Sequence, residues 1–192
     1  MSENPQSQPA GDGPQTQKLQ HNPMSARVPE KVARGIIATG FLIFSGPHEV
    51  VIDFLQFISR PAHLAARVVL APAVAEQFLA TLRENYGRYQ QAFGTPAPLP
   101  RNPGERPRSA QEIYDDLKIS DDVLSGVYAN AVMVGHTPAE FSLDFITSFY
   151  PHAAIASRIY LAAPRVPQLI ETLTASLNNY RAKPPQAPPA AP

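Results

Sequence analysis

The stretch from Arg34 to Phe54, RGIIATGFLIFSGPHEVVIDF, returns from Ser125 to Phe145 as SGVYANAVMVGHTPAEFSLDF. A chain that repeats itself builds one structural unit more than once, so this match decides the fold. Shifted by 91 positions, residues 28–89 align with 119–180 without a gap, and 16 of the 62 pairs are identical. They include Gly35/Gly126, Pro47/Pro138, Glu49/Glu140, Asp53/Asp144, Phe54/Phe145, Arg67/Arg158 and Tyr89/Tyr180. Most other pairs exchange like for like, as Ile36/Val127, Leu42/Met133 and Val68/Ile159 do. An ungapped match of this length marks a duplication.

Each copy reads as strand, strand, strand, helix. The first strand is expected over 35–44 and 127–134, and SGPHE or HTPAE then supplies a hairpin turn. The second strand spans 50–57 and 140–146, where Phe141, Leu143 and Phe145 alternate with Ser142 and Asp144. The third spans 65–71 and 156–162. A helix follows, opened by Pro72 or Pro164, where proline's missing donor costs nothing. Val74, Phe78, Leu82, Tyr86 and Tyr89 recur at helical spacing, as do Val166, Leu169, Leu173, Leu177 and Tyr180.

A block of this size is small for an independent core. Three strands and one helix also leave one sheet face uncovered and too apolar for water. The expected fold is therefore α+β, with two β-β-β-α repeats forming a pseudo-symmetric intramolecular dimer. The domains predicted are a disordered tail over 1–26, repeat one over 27–93 and a Pro-rich linker over 94–108. A short helix over 109–118, opened by a Ser109–Glu112 capping box, leads to repeat two over 119–181 and a Pro-rich disordered tail over 182–192. Fourteen of the 22 prolines fall in the two tails and the linker, which is why these segments read as extended tethers.

The formal charge is zero, which speaks against a protein built mainly for polyanions. Repeat one carries seven Lys/Arg against five Asp/Glu, and residues 109–181 carry four against eight. The absence of cysteine excludes disulfides and thiolate metal sites. The N-terminal residues lack a basic region followed by an apolar core, and the longest uncharged apolar run is too short to span a bilayer. A cytoplasmic location is expected.

GVYANAVMVGHTPAEFSLDF, followed by SRIYLAAP and a helix, resembles a family of small prokaryotic domains known as domain of unknown function 3467. The residues that carry the resemblance are Gly126, Tyr128, Ala129, Asn130, His136, Thr137, Pro138, Glu140, Phe141, Leu143, Asp144 and Phe145. Copy one departs from the pattern, with Thr39 for Asn130, Ile37 for Tyr128 and Ser45 for His136. The resemblance implies the fold unit and no biochemical role.

Asp53/Asp144 and Arg67/Arg158 are the charged pairs that share a sheet face in both copies. They read either as cross-strand ion pairs at the pseudo-dimer interface or as a carboxylate–guanidinium site for a ligand. His21, His48, His63, His136 and His152 lack metal-site spacing, and His136 is expected to hydrogen-bond its own turn. No cofactor, metal or catalytic residue is expected, so the chain reads as a non-enzymatic interaction or scaffold module with a protein partner. The alternative is single-stranded nucleic-acid binding, since paired strand-rich units resemble the Pur-type and Whirly-type binders in architecture. Phe41, Phe44, Phe57, Phe149, Tyr150 and Tyr160 are then the candidates for base stacking. Nothing in the chain suggests a membrane partner.

Overall fold

The computed structural model describes residues 26–100, 104, 106, 108–149 and 152–182. Nearly all of the two predicted tails, together with Tyr150, lies outside the described residues.

Copy one contains α1 (Glu30–Ala33), β1 (Ile36–Ala38), β2 (Gly40–Ser45), β3 (Val50–Gln56), β4 (Ala62–Leu70) and α2 (Pro72–Phe93). Between the copies lie α3 (Ala110–Asp115) and β5 (Leu117–Lys118). Copy two follows as α4 (Asp121–Leu124), β6 (Val127–Ala129), β7 (Ala131–His136), β8 (Glu140–Phe149) and β9 (His152–Ala162). A 3-10 turn (Ala163–Arg165) then leads into α5 (Val166–Ala182). The bounds of α1, β1 and β2 recur at α4, β6 and β7 with the same offset of 91 residues.

The two copies exchange strands. β2, β3 and β4 form an antiparallel meander, as β7, β8 and β9 do. β1 leaves its own meander and pairs in parallel with β9, placing Ile36 opposite Ile159. β6 makes the reciprocal move onto β4, with Val68 opposite Val127. Just upstream the exchange is repeated: Lys118 pairs with His63, and Arg27 pairs with Ala154. The first strand expected over 35–44 is thus two strands that belong to different sheets. The break falls at Thr39 and Asn130, whose backbone N–H groups donate to Leu55 and Ile146 (2.9 Å each) and so enter the meander. Gly35 and Gly126 start the exchanged strands at φ of +66° and +71°, a conformation that glycine adopts without a Cβ penalty. The helix expected over 109–118 ends at Asp115, and Leu117–Lys118 join β4 instead.

The helices cross as well. Tyr89 of α2 donates its hydroxyl to Pro138 O beyond β7 (3.0 Å), and Phe78 meets Phe145 at 5.5 Å between ring centroids. Ser45 of β2 donates to Ser176 O of α5 (3.2 Å). Phe54 and Phe145, equivalent positions of the two copies, meet at 5.6 Å. One core cluster therefore joins Val50, Ile52, Phe54, Val68, Phe78 and Leu82 to Phe141, Leu143, Phe145, Ile159, Leu169 and Leu173. The sheet face that was too apolar for water is buried against the other copy. Each large side chain there adds about 1.5–3 kcal/mol of burial.

Candidate functional site

Both charged pairs fasten the exchanged segments. Asp53 and Arg67 lie directly opposite on β3 and β4, as Asp144 and Arg158 do on β8 and β9. Arg67 grips its carboxylate with two bonds, Nε to Oδ1 at 2.8 Å and Nη2 to Oδ2 at 2.9 Å. Its Nη1 reaches Leu124 O at the end of α4 (2.9 Å), and Nη2 also reaches the Tyr114 hydroxyl of α3 (2.9 Å). Arg158 repeats the pattern, with 2.7 and 2.8 Å to Asp144 and 3.4 Å to Ala33 O at the end of α1. Leu124 and Ala33 are equivalent positions, each two residues before the glycine that starts an exchanged strand. A Cβ at Gly126 would lie 2.7 Å from Arg67 Cγ, so the chain passes close over the arginine stem.

These bonds hold both arginines in the charged form. The Asp53 hydrogen bond raises the Arg67 pKa against the opposing effect of burial, and Asp144 does the same for Arg158. Asp53 is completely buried, and a buried carboxylate requires such a partner.

The residues of the family pattern serve the same exchange. Asn130 Nδ2 donates to Ser148 O, and its Oδ1 accepts from Ser148 N, each at 2.8 Å. Thr39 performs half of this task in copy one, accepting from Phe57 N at 2.9 Å. Thr137 Oγ1 accepts from the backbone of Ala139 and Glu140 (3.2 Å each), and Thr137 N donates to Glu140 O at 2.9 Å, which closes the β7–β8 turn. His136 does not supply the turn bond expected of it. Its ring packs among Tyr89, Phe93 and Phe141, with Nδ1 buried and no hydrogen-bond partner among the described residues. Pro138 offers its carbonyl to Tyr89.

Among the exposed large apolar side chains, those at two equivalent positions are exposed in both copies. In copy two, Tyr128 of β6 and Phe149 at the end of β8 have nearly parallel rings, with centroids 6.3 Å apart and planes 11° from parallel. They are 45% and 63% exposed. Thr147 Oγ1 donates to Tyr128 O and fixes the strand beneath. The equivalent residues in copy one, Ile37 and Ile58, are 58% and 70% exposed, and Gln56 Nε2 donates to Ile37 O in the place of Thr147. Sequence reasoning names Phe149 as a stacking candidate, and Tyr128 only as a residue of the family pattern. The signal it had was that Tyr128 and Ile37 align as large side chains between a positive-φ glycine and a buried alanine. The other stacking candidates are more committed. Phe41 packs on the core, Phe44 lies against Tyr114 at 5.6 Å, and Phe57 covers Gly40. Tyr160 is half-buried beside Arg158.

Between α2 and α5 lies an open polar groove of about 200 Å³. Its arginines are engaged, Arg83 with Thr174 and Arg181 with Glu76, both at 2.8 Å. Among the described residues, no three His, Asp or Glu side chains are grouped to hold a metal ion, and no helix is long and apolar enough to cross a membrane.

A family model described as "Protein of unknown function (DUF3467)" matches residues 2–97 and again 102–183. No curated protein and no solved structure matches the chain.

Proposed function

Since the chain belongs to the family described as protein of unknown function DUF3467, in two tandem copies, we propose that it is a non-enzymatic interaction module that binds a protein partner through its exposed apolar pairs. One observation carries this reading. Ile37/Ile58 and Tyr128/Phe149 occupy equivalent positions, and each pair leaves about half or more of its surface in water. Isolated apolar residues on a surface are ordinary, but paired ones repeated by pseudo-symmetry are a contact surface in waiting. The charged pairs common to both copies support the same reading, because they are occupied with holding the exchanged segments.

Nucleic-acid stacking needs rings. Copy one presents isoleucines at these positions, so their shared property is apolar area, which suits a protein surface. A photo-crosslinking phenylalanine placed at position 149 or 58, and at exposed Glu84 as control, tests the proposal in cells. Discrete protein adducts are expected from 149 and 58 and not from 84. Equal adducts from all three positions, or adducts that nuclease removes, would overturn it. Fluorescence anisotropy with single-stranded DNA and RNA is expected to stay flat even at low salt, where phosphate-driven binding is strongest.

A further inference from the structure

We propose that the groove between α2 and α5 is a binding site for a small organic monocarboxylate, with the carboxylate held by Arg83 and a short apolar chain lying over Leu79 and Leu177. The site goes beyond the interaction surface described above and shares no residue with it.

Two rungs build the groove. Arg83 of α2 donates from Nη2 to Thr174 Oγ1 of α5 (2.8 Å), and Arg181 of α5 donates to Glu76 of α2 from Nη2 (2.8 Å) and Nε (3.1 Å). The rungs are seven residues apart on each helix. The helices therefore run side by side in opposite directions, with the rungs about 10 Å apart. Leu79 and Leu177 line the space between and belong to the core, at 8% and 2% exposed, so the floor is preformed.

Charge selects the ligand. Thr174 Oγ1 gives its proton to Ile170 O (2.6 Å) and so accepts from Arg83, which orients the guanidinium without neutralising it. Among the described residues no carboxylate pairs with Arg83. At the other rung, Glu76 matches the charge of Arg181. The groove thus carries one unmatched positive charge, at one end. The donors of Arg83 that Thr174 leaves unused suit a carboxylate. A second carboxylate on the same ligand would meet Glu76, whose Oε2 takes neither bond from Arg181. The volume, about 200 Å³, lies below the roughly 300–1,000 Å³ of sites for drug-sized ligands and admits a short-chain acid.

The duplication supplies an internal contrast. Arg83 and Thr174 are equivalent positions of the two copies, so their contact falls at the pseudo-twofold axis. Two arginines there would repel, and two threonines would carry no charge. The copies have diverged to place a single, oriented cation. Glu76 and Arg181 correspond to Pro167 and Gln90, which cannot form an ion pair, so the closed groove belongs to one side of the axis.

The test titrates the full chain with pentanoate at constant ionic strength and follows side-chain signals by nuclear magnetic resonance. Saturable shifts are expected at the methyls of Leu79 and Leu177 and at the Arg83 Nε–H. Pentanamide, of the same shape without the charge, and pentanedioate should each bind about tenfold more weakly or worse. Arg83→Gln should weaken pentanoate by a similar factor. Thr174→Val, which keeps the charge and removes its orienting partner, should weaken it too. Arg88→Gln, which removes an arginine of α2 outside the groove, should leave binding unchanged. Absence of saturable shifts at the two leucines overturns the proposal, as does equal binding of pentanamide by the unaltered chain. Inorganic phosphate that matches pentanoate at Arg83 would show an adventitious ion only, and overturns it as well.

Discussion

Arg67 joins four elements from one side chain: β4 by its backbone, β3 through Asp53, α4 through Leu124 and α3 through Tyr114. Replacing it with methionine leaves a buried, unpaired carboxylate, and the expected loss is about 3–5 kcal/mol, read as a lower urea midpoint. Removing both charges, as Asp53→Leu with Arg67→Met, should recover most of that loss. The part not recovered measures the bonds to Leu124 and Tyr114, at about 1 kcal/mol each. Arg158→Met should be milder, because Asp144 is not wholly buried and the bond to Ala33 is longer. Equal and small losses at both sites would show that the pairs are ordinary surface contacts.

At the scale of elements, α3 shows how a short helix is held. Ser109 Oγ accepts from Glu112 N (3.2 Å), while the Glu112 carboxylate accepts from Ser109 N (2.8 Å), closing a capping box. The hydrogen bond from Arg106, and then those from Ser109, hold the Glu112 pKa below the ordinary carboxylate value. A carboxylate held low in the folded state stabilises it above its unfolded value, about 4.3, and that stability is lost as pH falls through the lower folded value. The protection of the α3 amides, relative to an unstructured peptide at the same pH, should therefore stay level down to about pH 5 and fall below about pH 4. Glu112→Gln, which keeps the box geometry, should flatten that dependence.

The elements were legible to different degrees for physical reasons. Strands β3 and β8 announce themselves as apolar runs behind turn residues, and both long helices because their buried residues recur at helical spacing. The Ser109 box was legible from two residue types at one spacing. The exchange was not, because β1 and β6 are three residues long and pair in parallel with strands 123 and 59 residues away. What marked it in the sequence was a polar residue, Thr39 or Asn130, inside an otherwise apolar run. His136 was misjudged because its partners, Tyr89 and Phe93, come from the helix of the other copy.

At the scale of the whole molecule, neither copy has a complete sheet or a covered core of its own. Unfolding should therefore be a single transition, with circular dichroism and tyrosine fluorescence giving the same midpoint. Phe54→Ala, at the contact with Phe145, should lower that one midpoint by the equivalent of about 3–5 kcal/mol. Two separated transitions, with only one of them moved by the substitution, would show that the copies fold independently.

The exchanged strands also set an order of events at the ribosome. β1 emerges before every other named strand, yet its partner Ile159 is synthesised 123 residues after Ile36. At roughly 5–20 residues per second, β1 waits for about 6–25 s with its apolar side chains unpaired. β6 has no such wait, because β4 is already made when it appears. The N-terminal half of the nascent chain thus depends on shelter that the C-terminal half does without, and stalled translation before residue 159 leaves an unsatisfied strand for chaperones or proteases to find.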